Sequence, residues 1–273
     1  MNQRPDESRG RRQGGRHDQW QDMRRVAQEA VDAGVHWLMG DGTREPWTRA
    51  RLKPSGEEVT AADIEVERRI TRVLEDCTPE IPVVGEESAH PEPPPSTCWL
   101  LDPIDGTMNF TRGAPGYALS LAYVTAGTPV LGVIHAPRLG RRWSTGEADA
   151  TLPAMSDRVR TLSRAVVGLT GAGRRNPRTA RLIGRLYTDA YRVRLQGAMS
   201  LDLAAVAEGW LDACVCLGPK PWDVAAGTAL VRERGGVVLG EDARDFTLRS
   251  PVLAAGSPPV ARRLIALWES TAI

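Results

Sequence analysis

Apolar residues recur at helical spacing through Met23, Val26, Ala27, Ala30, Val31, Gly34, Trp37 and Leu38, which predicts an amphipathic helix stopping near Gly40-Asp-Gly42. A second helix is expected over Ala61 to Asp76, with Thr60 as its N-cap. Asp63 and Glu67, four residues apart, then project from one face of it. Ile81 to Val84 reads as a short strand ending at Gly85, with Glu86 and Glu87 at its exit. The Pro-rich run from Pro91 to Pro95 is a stiff loop leading to a buried strand over Cys98 to Leu101. Pro103 fixes φ and removes a donor, so a turn is expected there with Asp102 and Asp105 on either side of the bend. Tyr117 to Val124 and Val130 to His135 continue as antiparallel strands.

From about Thr161 the pattern changes to alternating strand and helix. Strands are expected over Ala165 to Leu169, Tyr191 to Leu195 and Ala213 to Leu217, and helices over Arg178 to Asp189 and Leu201 to Glu208. Asp223 opens a further helix that ends at Gly235-Gly236. Strands around Val237 and Val252 and a helix from Pro259 to Trp268 complete this half, which has α/β character. Three segments result: a disordered, Arg-containing tail over residues 1–18, an N-terminal α+β half over 19–150 and a C-terminal α/β half over 151–273.

Composition narrows the partners. A chain of 273 residues with 41% hydrophobic content can bury a sizeable core. Its 35 Lys and Arg against 34 Asp and Glu leave a net charge of +1, so neither nucleic acid nor an acidic membrane is expected as its main partner. Residues 113–137 carry no Asp, Glu, Lys or Arg, yet Pro115, Gly116, Gly127, Pro129 and Gly132 break them into two strands rather than a membrane span. Cys77, Cys98, Cys214 and Cys216 form neither a disulfide framework nor a zinc pattern, and no signal-peptide core precedes the first helix, so a cytoplasmic protein with reduced thiols is expected.

The densest chemistry lies in Asp102-Pro-Ile-Asp-Gly-Thr-Met-Asn-Phe110. Two hard carboxylates close together suit Mg²⁺, which takes carboxylates plus water and substrate phosphate. Gly106 and Thr107 follow at what reads as a helix start, where free N–H groups favour an anion. Hydrolysis of phosphate monoesters demands accelerations on the order of 10²¹, and two cations about 3.5–4 Å apart, bridged by a carboxylate, can hold both the attacking and the leaving oxygen.

Four motifs in order carry a resemblance: Val59-Thr-Ala-Ala-Asp63 with Glu67, Val84-Gly-Glu-Glu-Ser88, the Asp102 to Phe110 string, and Trp222-Asp-Val-Ala-Ala-Gly227. On these the chain resembles the inositol monophosphatase family over roughly Trp20 to the C-terminus. The resemblance implies a five-layered αβαβα sandwich and a Mg²⁺-dependent, lithium-sensitive phosphatase with two or three ions, expected as a homodimer acting on a small phosphate ester. It implies that Glu86, Asp102 and the Ile104 carbonyl hold one Mg²⁺ and that Asp102, Asp105 and Asp223 hold a second. It further implies that Thr107, paired with Asp63, orients the attacking water, that Gly106 and Thr107 cradle the phosphate, and that Gly197 and Ala198 meet the substrate. Lys53 reads equally as a loop-orienting or charge-shielding cation and as a solvated lysine.

Two departures blur the substrate. Cys216 stands seven residues before Asp223, where inositol phosphatases carry a glutamate that receives ring hydroxyls. A thiol is a poor acceptor, and alternation in Ala213 to Leu217 also allows Cys216 to pack in the core beside Cys214. Met199 adds a bulkier, apolar wall. Arg174 and Arg175 suit either a second anionic group or a solvated loop. Inositol, cyclitol or sugar phosphates therefore lead, ahead of 3'(2'),5'-bisphosphate nucleotides or histidinol phosphate. A regulatory interaction protein that keeps the fold is the rival from a different class, disfavoured because no metal carboxylate is missing.

Overall fold

The computed structural model describes residues 7–88, 93–147, 151, 155, 159–171 and 176–272, with side chains from Trp20 onward. Helix α1 (Glu7–Trp37) closes in a π-helical turn over Leu38–Gly42, and the short strands β1 (Arg51–Leu52) and β2 (Glu58–Val59) form a small hairpin before α2 (Ala61–Cys77). Because α1 begins at Glu7, helical backbone enters the segment assigned to a tail. Thr60 caps α2, with its hydroxyl accepting from the Ala62 and Asp63 amides and Asp63 reaching back to the Thr60 amide.

Strands β3 (Val83–Gly85), β4 (Cys98–Asp105), β5 (Ala118–Thr125), β6 (Thr128–Ala136) and β7 (Arg141–Ser144) form one sheet in sequence order, with helix α3 (Thr107–Thr111) following β4. The first pair is parallel and the rest antiparallel. Of the Pro-rich loop before β4, Pro91 lies outside the described residues. The expected turn at Pro103 is not there. Strand β4 runs on to Asp105, and Asp102 opposite Ser120 with Asp105 opposite Ala118 leaves one extra residue on β4, a bulge. A bulge tolerates the missing proline donor, so the strand bends without ending.

The second sheet has the order β11-β12-β10-β8-β9, built from β8 (Val166–Gly171), β9 (Arg192–Arg194), β10 (Ala213–Leu217), β11 (Val237–Leu239) and β12 (Val252–Gly256). Its helices are α4 (Pro177–Asp189), α5 (Met199–Glu208), α6 (Pro221–Glu233) and α7 (Pro258–Ser270). Three apolar cores separate the layers. Val26, Val31, Ile70 and Leu74 of α1 and α2 pack on Trp99, Leu101 and Leu119 of the first sheet. Leu203, Val206, Val224 and Leu230 of α5 and α6 fill the space between Leu100 and Ala122 on one side and Cys214 and Leu253 on the other. Leu182, Leu186, Val260 and Leu264 of α4 and α7 cover the far side of the second sheet. The result is a five-layered αβαβα sandwich, and α5 and α6, sandwiched between sheets, are apolar on nearly every face.

Candidate active site

Parallel pairing places Gly85 opposite Leu101, so β3 and β4 deliver their C-terminal ends to one place. The Glu86 amide donates to the Leu101 carbonyl at 3.1 Å, which sets Glu86 beside Asp102. Strand alternation turns Asp102 with Cys98 and Leu100 toward the central layer, where the first turn of α6 carries Asp223. Oxygens of Glu86, Asp102 and Asp223 lie within 4.8 Å of one another. Asp102 is only 2% exposed, and its Oδ1 accepts from the Ile104 amide at 3.1 Å. Burial holds its carboxyl well above the usual range, reinforced by Glu86, Asp105 and Asp223. Asp223 is raised by the same cause, with Asp105 adding to it. Crowded, hard oxygen donors without enough cationic charge are what a divalent ion relieves, so this donor set fits Mg²⁺.

Asp105 stands just past the bulge and faces a different neighbour. Its Oδ1 accepts from the Met199 amide at 3.2 Å and its Oδ2 from the Ser200 amide at 2.6 Å, which ties it to the N-terminus of α5. Burial pushes its pKa up to about 7 against the pull of these bonds. Each oxygen keeps a lone pair, so ligation remains open to it.

Asp63 projects from α2 to the other side of the cluster, 1% exposed. Its Oδ2 accepts from the Thr60 amide at 2.8 Å, while its Oδ1 lies 3.2 Å from Thr107 Oγ1. Thr107 Oγ1 also lies 3.0 Å from the Ile104 carbonyl, and its single proton goes to one of the two at a time. Burial raises Asp63 to about 6. Gly106 makes the sharp entry into α3 with φ of +89°, a conformation that glycine adopts without strain.

Glu67 lies one turn beyond Asp63 and accepts from the Glu87 amide at 2.9 Å and from the Ser88 hydroxyl. It fixes the backbone just after Glu86. Gly85 permits that approach, since a Cβ there would sit 2.3 Å from the Glu67 carboxyl carbon. Lys53, on the β1–β2 hairpin, reaches across so that its Nζ is 2.6 Å from both Glu86 and Glu87. Burial opposes its charge, yet the two glutamates together hold its pKa above the ordinary lysine value. Burial also pushes Glu87 up to about 7, against its bond to Lys53.

Gly197 and Ala198 precede α5 beside Gly106, the first exposed and the second buried. Asn109, within the Asp102 to Phe110 string, ties the stretch after α3 to the loop before α5: its Nδ2 donates to Gly116 O at 2.6 Å and to Gln196 O at 2.9 Å. Cys216 is 0% exposed on the central strand of the second sheet and packs with Cys214 in the core beneath α5, so it offers a ligand no surface. Met199, 7% exposed, is likewise buried. Arg174 and Arg175 lie outside the described residues.

The family model described as the inositol monophosphatase family matches residues 19–271, most of the chain. The chain belongs to the inositol monophosphatase family. Inositol-1-monophosphatase ImpA of Mycolicibacterium smegmatis is 33% identical over 232 residues, covering 80% of this chain and 83% of the relative. The fructose-1,6-bisphosphatase/inositol-1-monophosphatase of Thermotoga maritima is 34% identical over 196 residues, covering 69% and 75%. A solved inositol monophosphatase from Thermotoga maritima superposes with a TM-score of 0.77 at 26% identity, over 93% of this chain and 98% of that one. This inositol-monophosphatase-family chain is accordingly an enzyme of the phosphatase class, with an acidic cluster able to take a cation.

Proposed function

We propose that this protein hydrolyses a small phosphate monoester, an inositol, cyclitol or sugar phosphate, with Mg²⁺ as cofactor and water as nucleophile. The observation that carries the reading is the meeting of Glu86, Asp102 and Asp223 oxygens within 4.8 Å, next to a Thr107–Asp63 pair. The names of the mycobacterial-type and Thermotoga relatives favour polyol and sugar phosphates. Glu86, Asp102 and the Ile104 carbonyl would hold one Mg²⁺, Asp102, Asp105 and Asp223 a second, and Glu86 would serve any third. When bound, the ions supply charge neutralisation of the phosphoryl group and a lowered pKa for water.

The chain's own residues do the remaining work. Thr107 Oγ1 accepts a hydrogen bond from the attacking water when its own proton is turned to Asp63 Oδ1, so that Asp63 sets the hydroxyl's direction. Gly106 and Thr107 amides hold the phosphate, and Asp105 keeps Gly197 and Ala198 registered against it through α5. Lys53 supplies a positive charge over Glu86 and Glu87. Residues 19–150 and 151–273 act as two halves of one site, since Asp223 and α5 come from the second and the other carboxylates from the first. The enzyme is read as a lithium-sensitive cytoplasmic homodimer.

Phosphate release from a panel of inositol 1-phosphate, fructose 1,6-bisphosphate, a 3',5'-bisphosphate nucleotide and histidinol phosphate, with and without Mg²⁺, tests the proposal. Turnover is expected on the polyol or sugar esters and to vanish in Asp102→Asn. Undiminished turnover by that folded variant, or metal-independent hydrolysis, would overturn it.

A further inference from the structure

Asp202 lies in the first turn of α5, fully buried, and the chemistry above does not use it. Its Oδ2 accepts from Thr170 Oγ1 on β8 at 2.6 Å and its Oδ1 from Gln196 Nε2 at 2.7 Å. No Lys or Arg pairs with it among the described residues. An ionised carboxylate buried with two neutral donors is costly, and an apolar residue of similar size would serve packing alone at least as well. What a carboxylate offers is acceptor capacity on both oxygens with no competing donor, which suits two donors arriving from different elements.

Those donors have unequal surroundings. Thr170 is anchored in the second sheet, between β10 and β9. Gln196 is exposed and stands immediately before Gly197 and Ala198, in the loop from β9 to α5. Its carbonyl is held by Asn109, two residues beyond Thr107, and the amides after Ala198 are held by Asp105. The loop is thus fixed at its backbone by the same segment that carries the carboxylates, and at its side chain by Asp202. Gly197 has φ of +82°, so this stretch has little conformational preference of its own and takes its course from these ties.

We propose that Asp202 is a positioning residue for substrate recognition: anchored to Thr170, it grips Gln196 and so fixes how Gly197 and Ala198 meet the organic half of the phosphate ester. The proposal rests on the phosphatase reading and deepens it. Asp202 touches neither the acidic cluster nor Thr107, so its role is in binding the ester and not in the bond-breaking step.

The test uses the full-length protein and the best ester from the panel. Asp202→Ala should raise KM about tenfold, the net worth of one or two hydrogen bonds, with kcat and Mg²⁺ affinity within about twofold of the parent. Gln196→Ala, at an exposed position where folding is not at stake, should reproduce that KM rise. Asp202→Asn should recover part of it, because a flipped Gln196 amide can accept from the new Nδ2 while Oδ1 still accepts from Thr170. Hydrogen exchange of residues 195–199 should quicken in both alanine variants. An unchanged KM in Gln196→Ala, a fall in kcat at constant KM, or unchanged exchange would overturn the proposal. If no ester is turned over by the parent, the phosphatase reading fails while the exchange measurement still decides whether Asp202 and Gln196 fix the loop.

Discussion

Without its metal, this protein should become more stable as pH is lowered, the reverse of ordinary acid denaturation. Asp63 and Asp105 are pushed up to about 6 and about 7, in each case first by burial. Asp102 and Asp223 are raised in the same direction. An acid whose folded pKa exceeds its unfolded value binds more protons when folded, so stability rises as pH falls through the folded pKa. Between pH 8 and 5.5, Asp105 contributes roughly 2 kcal/mol and Asp63 somewhat under about 1 kcal/mol, taking about 1.4 kcal/mol per pKa unit, and Glu87 and Asp202, raised by burial to about 7 and about 6, add in the same direction. His135, lowered by burial, works in the opposite sense as it is forced to charge, and offsets a part of the rise. For a chain of this size 1 kcal/mol moves Tm by about 2–4 °C, so a rise of at least about 4 °C is expected in EDTA. Saturating Mg²⁺ should abolish or invert the slope, because cation binding stabilises through ionised ligands and weakens as they protonate. Thermal unfolding across that pH range, with EDTA and with Mg²⁺, reads both arms. A Tm in EDTA that is flat or falls from pH 8 to 5.5 would refute the view that the cluster is electrostatically strained without its ions.

Lys53→Met should lower Tm in EDTA, since Glu86 and Glu87 lose their cation, and tighten Mg²⁺ binding severalfold by calorimetry, since no ammonium has to be displaced from Glu86. Gly85→Ala should lower Tm, because the clash falls on the carboxyl of the buried Glu67 and breaks its bonds, and should weaken Mg²⁺ affinity about tenfold by loosening the Glu87 and Ser88 anchors; unchanged calorimetric affinity would count against the support role of Glu67. Cys216→Glu should lower Tm and reduce turnover of all esters together, because it buries an unpaired carboxylate, whereas a selective gain on inositol phosphate would show that the position faces substrate.

Local pattern alone carried much of the fold. Thr60 capping α2, the strand at Ala213–Leu217 and the helix after Lys220 are set by cap chemistry, alternation and proline placement, all properties of a few adjacent residues. The motifs also singled out the carboxylates by residue type and order. Their roles relative to one another were decided only in three dimensions. Asp102 and Asp105 look equivalent in Asp102-Pro-Ile-Asp105, yet the bulge opposite β5 sends the first into the acidic cluster and the second onto the amides of α5. A turn at Pro103 and a bulge at Pro103 read alike along the chain, because both need only a missing donor; pairing with a strand more than ten residues away selects the bulge. Cys216 shows the same limit, since alternation gives the face on which it lies while only the packing of α5 over β10 determines whether that face meets solvent. Lys53, Asn109 and Asp202 act through partners more than thirty residues away or across a loop of no regular period, and such contacts leave no periodic trace in a sequence.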